Sequence, residues 1–366
     1  MSSSTSSSES EVAWRAFVRR GALAFVASLI GAYAFVLIVD PYQTVPFSPA
    51  WQRHPLSNSA RVFNAALARV RSFDSAVVGN SAIMLLKPDA LDAGLGGRFV
   101  NLAMPAASPF EMHAMLEHFR RHHQDVRTII LGFDVGACHL EGHPPFIANR
   151  GDEYPYALFD ADDSNDWPGL SGRTLADAWY QFRALLGFPR SPRDARGYHD
   201  FTQGLYSRAN SPEDDRRRIY ETRPALLFGP ADPGPLAFPD VDRVVERMAM
   251  FPDATRLIFL IPPAHFHHQP KPGTISSRLW ELCKAKLVRE ARRLSNVWIV
   301  DFSRPSRITR ADGNYIDGIH YYPPIADEIA RTLAVVVDGS ARPDETYAVL
   351  AQPSEVESHK QKTQGR

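Results

Sequence analysis

Cysteine is nearly missing from this chain: only Cys138 and Cys283 occur in 366 residues. Two cysteines so far apart exclude a disulfide scaffold and a zinc site built of cysteines alone. They leave either one bridge, if the domain is exported, or two buried thiols. Net charge is missing as well, since Lys+Arg and Asp+Glu both count 41. No overall field draws in a polyanion, and nucleic acid is not expected as a partner. No Gly-x-Gly-x-x-Gly follows a strand-like run and no Gly-Lys-Ser/Thr loop occurs, so a nucleotide cofactor has no binding motif. No cofactor of any kind is expected, and no internal repeat is visible. Apolar residues, at 44%, are not scarce. That fraction supports a sizeable core and is too high for a disordered chain.

One apolar run is long. Residues 21–39 (GALAFVASLIGAYAFVLIV) carry no charge. At about 1.5 Å per residue they just cross a hydrocarbon core of roughly 30 Å. Arg15, Arg19 and Arg20 precede the run and Asp40 follows it. The positive-inside rule then keeps a leader of residues 1–20 in the cytoplasm and puts the rest of the chain across the inner membrane, in the periplasm. A cleaved signal peptide fits less well, because the run exceeds the usual apolar region and no small-x-small site follows it. The lipid bilayer is thus the first expected partner, through a single-pass helix over 21–39.

Beyond the anchor, strand-like and helix-like stretches alternate. A helical period covers 58–71, with Ser59 as its cap. Strand-like runs follow at 75–79 (SAVVG), 98–102 (RFVNL) and 127–133 (RTIILGF), the last apolar without alternation, as in a strand buried on both faces. Ser108-Pro109-Phe110-Glu111 is a capping box with proline at the first helical position, opening a helix to about His123. His113, His118, His122 and His123 on that helix, beside Arg120 and Arg121, are expected on a solvated face. After an interruption over 139–239, with one helix near 175–186, the alternation resumes. It runs as helix 240–251, strand 256–261, helix 277–294, strand 297–302 and helix 324–336. Strand–helix repetition implies a parallel sheet with helices on both faces. The expectation is one flavodoxin-like three-layer α/β/α domain over 40–337. The interruption is an insertion on its loop end, and 338–366 form a flexible tail.

Two short motifs fall at the carboxyl end of this sheet, where open parallel sheets bind ligands. Gly79-Asn80-Ser81 follows the first strand. Alone it is an ordinary turn and N-cap, although a hydroxyl there has backbone N–H groups nearby to hold an oxyanion. Asp317-Gly318-Ile319-His320 lies between the last strand and the last helix. One turn with Asp and His three apart lets the carboxylate accept from Nδ1–H and leaves Nε2 to take a proton from a serine. His265-Phe266-His267-His268 suggests a metal, with Asp134 or His139 as further ligands. A substrate-contacting or solvated loop explains it more simply, and no metal is expected.

These blocks resemble the SGNH/GDSL hydrolase superfamily, and within it the membrane-anchored, periplasm-facing relatives that handle acyl groups on surface polysaccharides. The resemblance covers about 75–135 and 240–337. It implies Ser81 as nucleophile, His320 as base and Asp317 as its orienting carboxylate. Asn80 stands where the family has Asp. The oxyanion-hole glycine of the second block corresponds to Ala106, in Asn101-Leu102-Ala103-Met104-Pro105-Ala106. The asparagine of the third block is replaced by Asp134 in Gly132-Phe133-Asp134. An ionised Asp cannot donate as Asn does, which leaves a protonated Asp134, another donor such as Asn101, a specialised transferase, or no catalysis; His265 is a further candidate for substrate contact. The implied activity is an acyl-ester hydrolase or O-acyltransferase. Its substrate is an acylated glycan or other ester, and a membrane-bound acyl donor protein is a second partner. The alternative is a non-catalytic glycan-binding or polysaccharide-assembly protein with a degraded site.

Overall fold

The computed structural model describes residues 5–49, 51, 53, 60–140, 154–160, 167–188, 193–203, 211–221, 237–342 and 344–353, with side chains from residue 10 onward. Ser59, the expected cap, lies outside them. In chain order the elements are α1 (Thr5–Val39), α2 (Ala60–Leu67), β1 (Ser75–Val78), α3 (Pro88–Leu95), β2 (Phe99–Asn101), α4 (Pro109–His122) and β3 (Thr128–Gly132). Then come α5 (Gly172–Leu185), α6 (Pro212–Glu221), α7 (Pro239–Met248), β4 (Arg256–Ile261), α8 (Ile275–Ala291), β5 (Val297–Asp301), α9 (Arg307–Arg310), α10 (Pro323–Val337) and β6 (Ala348–Ala351). The chain divides into two compact units, Met1–Leu56 with Ala161–Arg190, and Ser57–Asp160 with Ser191–Arg366.

In the first unit, α1 is long and apolar enough to span a membrane over Ser10–Val39. Its large apolar side chains face outward, with Leu23 60% and Phe25 65% exposed. Asp40 ends it. The buried Asp40 carboxylate accepts from the N–H groups of Thr44 and Val45, the Ser48 hydroxyl and Arg53. α5 packs on α1 through Ala178, Val36 and Val39.

The second unit is an α/β sandwich on a six-stranded sheet of order β2-β1-β3-β4-β5-β6. The first five strands are parallel, with Ser75 opposite both Phe99 and Thr128 and Leu257 opposite Val297. Order 2-1-3-4-5 is that of the flavodoxin-like arrangement. Helices α3 and α10 pack together, while α7 packs on both α4 and α8. Strands β1 and β3 are buried along nearly their whole length, as their unbroken apolar runs require. The capping box forms as expected: Ser108 Oγ accepts from Glu111 N–H and the Glu111 carboxylate accepts from Ser108 N–H.

Three expectations need correction. The segment after Val337 is not wholly a tail, because Ala348–Ala351 pairs antiparallel with β5 as β6. A strand edge presents unpaired N–H and C=O groups, and a short apolar segment covers them. The insertion, in turn, does not lie only at the loop end. Its residues 161–190 cluster with α1, and Arg196 reaches the opposite edge of the sheet. There its C=O accepts from Asn101 N–H, and its guanidinium donates to Phe99 O. Three of the four histidines expected on a solvated face of α4, finally, are not solvated, while His122 is half-buried. His113, His118 and His123 are buried. His118 Nε2–H and His123 Nε2–H donate to Ala65 O and Ala68 O at the end of α2. Burial lowers His118 to about 2 and His113 to about 4, so both are neutral.

Candidate active site

Ser81 sits on a turn pressed onto the sheet. Gly79 follows β1 directly and Gly132 ends β3, and the Ile83 side chain covers both. A Cβ on Gly79 would come within 2.5 Å of Ile83 Cδ1, and one on Gly132 within 2.9 Å. A side chain at either position would force Ile83 to shift. Asn80 caps the 3₁₀ turn Ser81–Ile83 by accepting from Ala82 N–H at 3.0 Å. Buried Asn101 holds the far side, donating to Met84 O and Leu86 O and accepting from Ala103 N–H. Its side chain is therefore spent on structure, which removes Asn101 as an oxyanion donor.

The Asp317–His320 loop is laced by hydrogen bonds. Asp317 Oδ1 accepts from both Ile319 N–H and His320 N–H at 2.8 Å. Ile316 N–H donates to His320 O, and Tyr315 pairs with Tyr321 across the loop. His265 belongs to the support of this loop. It is buried, its backbone N–H donates to Gly318 O, and its ring lies between Asp312 and His267 N–H. With Nδ1 accepting from His267, Nε2–H donates to Asp312 at 3.1 Å. Burial above all lowers the pKa of His265, against the pull of Asp312. Neither cavity of the site is lined by His265, so the expected substrate contact is replaced by a positioning one.

The two loops meet. His320 Nε2 lies 2.9 Å from Ser81 Oγ, and His320 Nδ1 lies 2.8 Å from Asp317 Oδ2. Burial would raise the Asp317 carboxyl. The hydrogen bond and charge of His320 and two backbone N–H groups outweigh it and hold the carboxyl below its usual range. An ionised Asp317 takes Nδ1–H, so Nε2 presents a lone pair to the Ser81 hydroxyl. Phe201, from the insertion, meets the His320 ring edge-on with centroids 5.3 Å apart and limits its rotation. Nothing in the sequence linked Phe201 to His320.

Ala106 lines the larger cavity of the site with Asn80 and Asp134. It takes a left-handed conformation, φ +49°, which favours glycine and costs a residue with a Cβ about 1–2 kcal/mol. Arg61 helps fix it: the guanidinium donates to Glu111 and to Pro105 O. Asp134 is an acceptor at both oxygens, from Gly136 N–H and from the Asn80 side-chain amide. A protonated, donating Asp134 does not fit that pattern. Asn80 and Asp134, two of the three positions that depart from the blocks the sequence resembles, thus face each other as one matched donor–acceptor pair. Their reciprocity was the available signal. A cavity of about 340 Å³ and a smaller one of about 100 Å³ share Asn80, Asp134, Val135, His268 and Ile319, and Ser81 lines the smaller. His268 is the histidine of its loop that reaches the cavities.

Cys138, just past Asp134, is bonded to Cys283 of α8. Among the described residues no group of three or more His, Cys, Asp or Glu is placed to hold a metal ion.

No family model and no curated protein matches the chain. Among solved structures it is similar to a Streptococcus pneumonia protein described as "a putative platelet activating factor", at 10% identity and TM-score 0.35 over 77% of this chain and 91% of that one. At that score the likeness carries no argument about what the site does.

Proposed function

We propose that this chain is a serine-dependent acyl-ester hydrolase or O-acyltransferase, anchored by α1 with its N-terminus in the cytoplasm and its α/β unit in the periplasm. One observation carries the reading: the Ser81–His320–Asp317 chain of contacts at 2.9 and 2.8 Å. In the reaction, Ser81 Oγ attacks the ester carbonyl carbon while its proton passes to His320 Nε2. The imidazolium, held by Asp317, gives that proton to the departing alkoxide, leaving an acyl-serine. Water, or a sugar hydroxyl, then loses its proton to Nε2 and attacks the acyl carbon, and serine is restored. Backbone N–H groups of Ser81 and Ala106 are the donors assigned to the oxyanion. An acylated glycan as substrate, and a membrane-bound acyl donor in the transferase case, follow from the family resemblance. The basic residues before the apolar run support the topology, and the Cys138–Cys283 bridge suits an oxidising compartment.

The second reading, a non-catalytic glycan-binding or assembly protein, is favoured by the Asp134 carboxylate in the third block. The two separate on turnover. Full-length chain in detergent is assayed on a chromogenic acetate ester beside Ser81→Ala. The proposal expects the variant to lose at least about a thousandfold; no turnover in the parent favours the second reading. A C-terminal alkaline phosphatase fusion, active only if exported, checks the topology.

A further inference from the structure

One face of α5 breaks the rule that apolar side chains go inside. Its other side is occupied by α1: Ala178 packs on Val36 and Val39, Phe182 meets the edge of Phe35, and the Tyr42 hydroxyl donates to Asp177 at 2.8 Å. Away from α1, Leu175, Trp179 and Leu186 are exposed, Trp179 by 55%. Spacings of four and seven put these three in one stripe. Trp167 and Leu170 before the helix and Phe188 after it are exposed too. Arg173 and Arg183 are exposed among them, and no exposed position in 167–188 is acidic. Trp, Leu and Arg without acid is the composition of a helix that lies in a membrane interface.

The neighbouring contacts say what covers this face. Leu170 shares a groove with Leu29, Ile30 and Tyr33 of α1. All three lie inside the apolar run 21–39, roughly 9–15 Å before its end at Val39 by helical rise. A segment touching α1 at that depth enters the same hydrocarbon layer that receives α1.

We propose that residues 167–188 are a second, interfacial membrane-contact element whose occupant is phospholipid. Acyl chains pack on Leu170, Leu175, Trp179 and Leu186, and headgroup phosphates pair with Arg173 and Arg183, whose stems extend along the apolar surface. The inference rests on α1 spanning the bilayer and is independent of the chemistry at Ser81.

The test uses the full chain reconstituted in phosphatidylcholine–phosphatidylglycerol vesicles containing a phosphatidylcholine with a diazirine on its acyl chain. After irradiation, lipid adducts are mapped by peptide mass spectrometry. Adducts are expected in 21–39 and in 167–188. In the double variant Leu175→Glu, Trp179→Glu, those in 167–188 should fall at least about fivefold while those in 21–39 stay. Adducts in 21–39 with none in 167–188 overturn the proposal and hand the face to a protein partner or a second copy. Undiminished labelling in the double variant also overturns it. Adducts in neither segment remove the spanning helix and the proposal with it.

Discussion

The turn that carries Ser81 is held mainly by packing, and the loop that carries His320 mainly by hydrogen bonds. Ile83 is wedged over Gly79 and Gly132 with no room for a methyl group. Asp317, by contrast, holds its loop through three accepted bonds that fix donor and acceptor identities rather than volume. The difference teaches which substitutions each half tolerates. An isosteric change of hydrogen-bonding character harms the His320 side, whereas a single added carbon harms the Ser81 side.

The largest effect expected from that contrast is Asp317→Asn, which keeps shape and inverts donor character. An amide facing His320 Nδ1 selects the tautomer with the proton on Nε2, and ester turnover should fall about 10⁴-fold with little loss of fold. Equal turnover in kinetic assays of the two proteins would break the comparison at its stronger end. Next comes Gly79→Ala. The added Cβ cannot be housed without moving Ile83 and the Ser81 turn, so thermal or urea unfolding should show a loss of about 1–3 kcal/mol, with slower turnover. Unchanged stability would mean that packing does not hold this turn.

The Asn80–Asp134 pair sharpens the contrast, since it is one of the hydrogen-bonded parts of the packed half. Asn80→Asp sets two carboxylates face to face, and Asp134→Asn sets two amides in conflict, each costing about 1–3 kcal/mol. Making both changes restores one donor and one acceptor. A double-mutant cycle should then give a coupling of about 0.5–3 kcal/mol in favour of the exchanged pair; simple additivity would separate the two residues. Smallest is Ala106→Gly. It removes left-handed strain but loosens the unfolded chain, so a net gain below about 1 kcal/mol is expected by the same unfolding measurement.

Much of this was legible in the chain. The buried strands announced themselves as apolar runs, and β4 has the bounds its pattern gave. Ser108 and Glu111 fixed the start of α4. The three residues now in contact were found because parallel sheets gather the ends of distant strands on one rim. What failed shares a cause: it depends on partners far away in sequence. The α4 histidines look polar and exposed until α2 supplies carbonyls for their ring N–H groups. Asn101 looked like a donor for substrate because its acceptors, Met84 O and Leu86 O, are backbone atoms with no residue signature. β6 was too short and too far from β5 in sequence to declare itself, and Phe201 lies in a stretch without periodicity. His265 and His268 are equivalent in sequence, and only the fold of their loop sends one to Asp312 and the other to the cavities.

The central claim is that the hydroxyl at position 81 is made nucleophilic by the imidazole at position 320. The most direct measurement is the rate and position of covalent labelling of the full chain by a fluorophosphonate, read by peptide mass spectrometry. A single adduct on Ser81, formed at least about a thousandfold more slowly in His320→Ala, is the predicted result. An adduct elsewhere, no adduct at all, or a rate indifferent to the loss of His320 would contradict it.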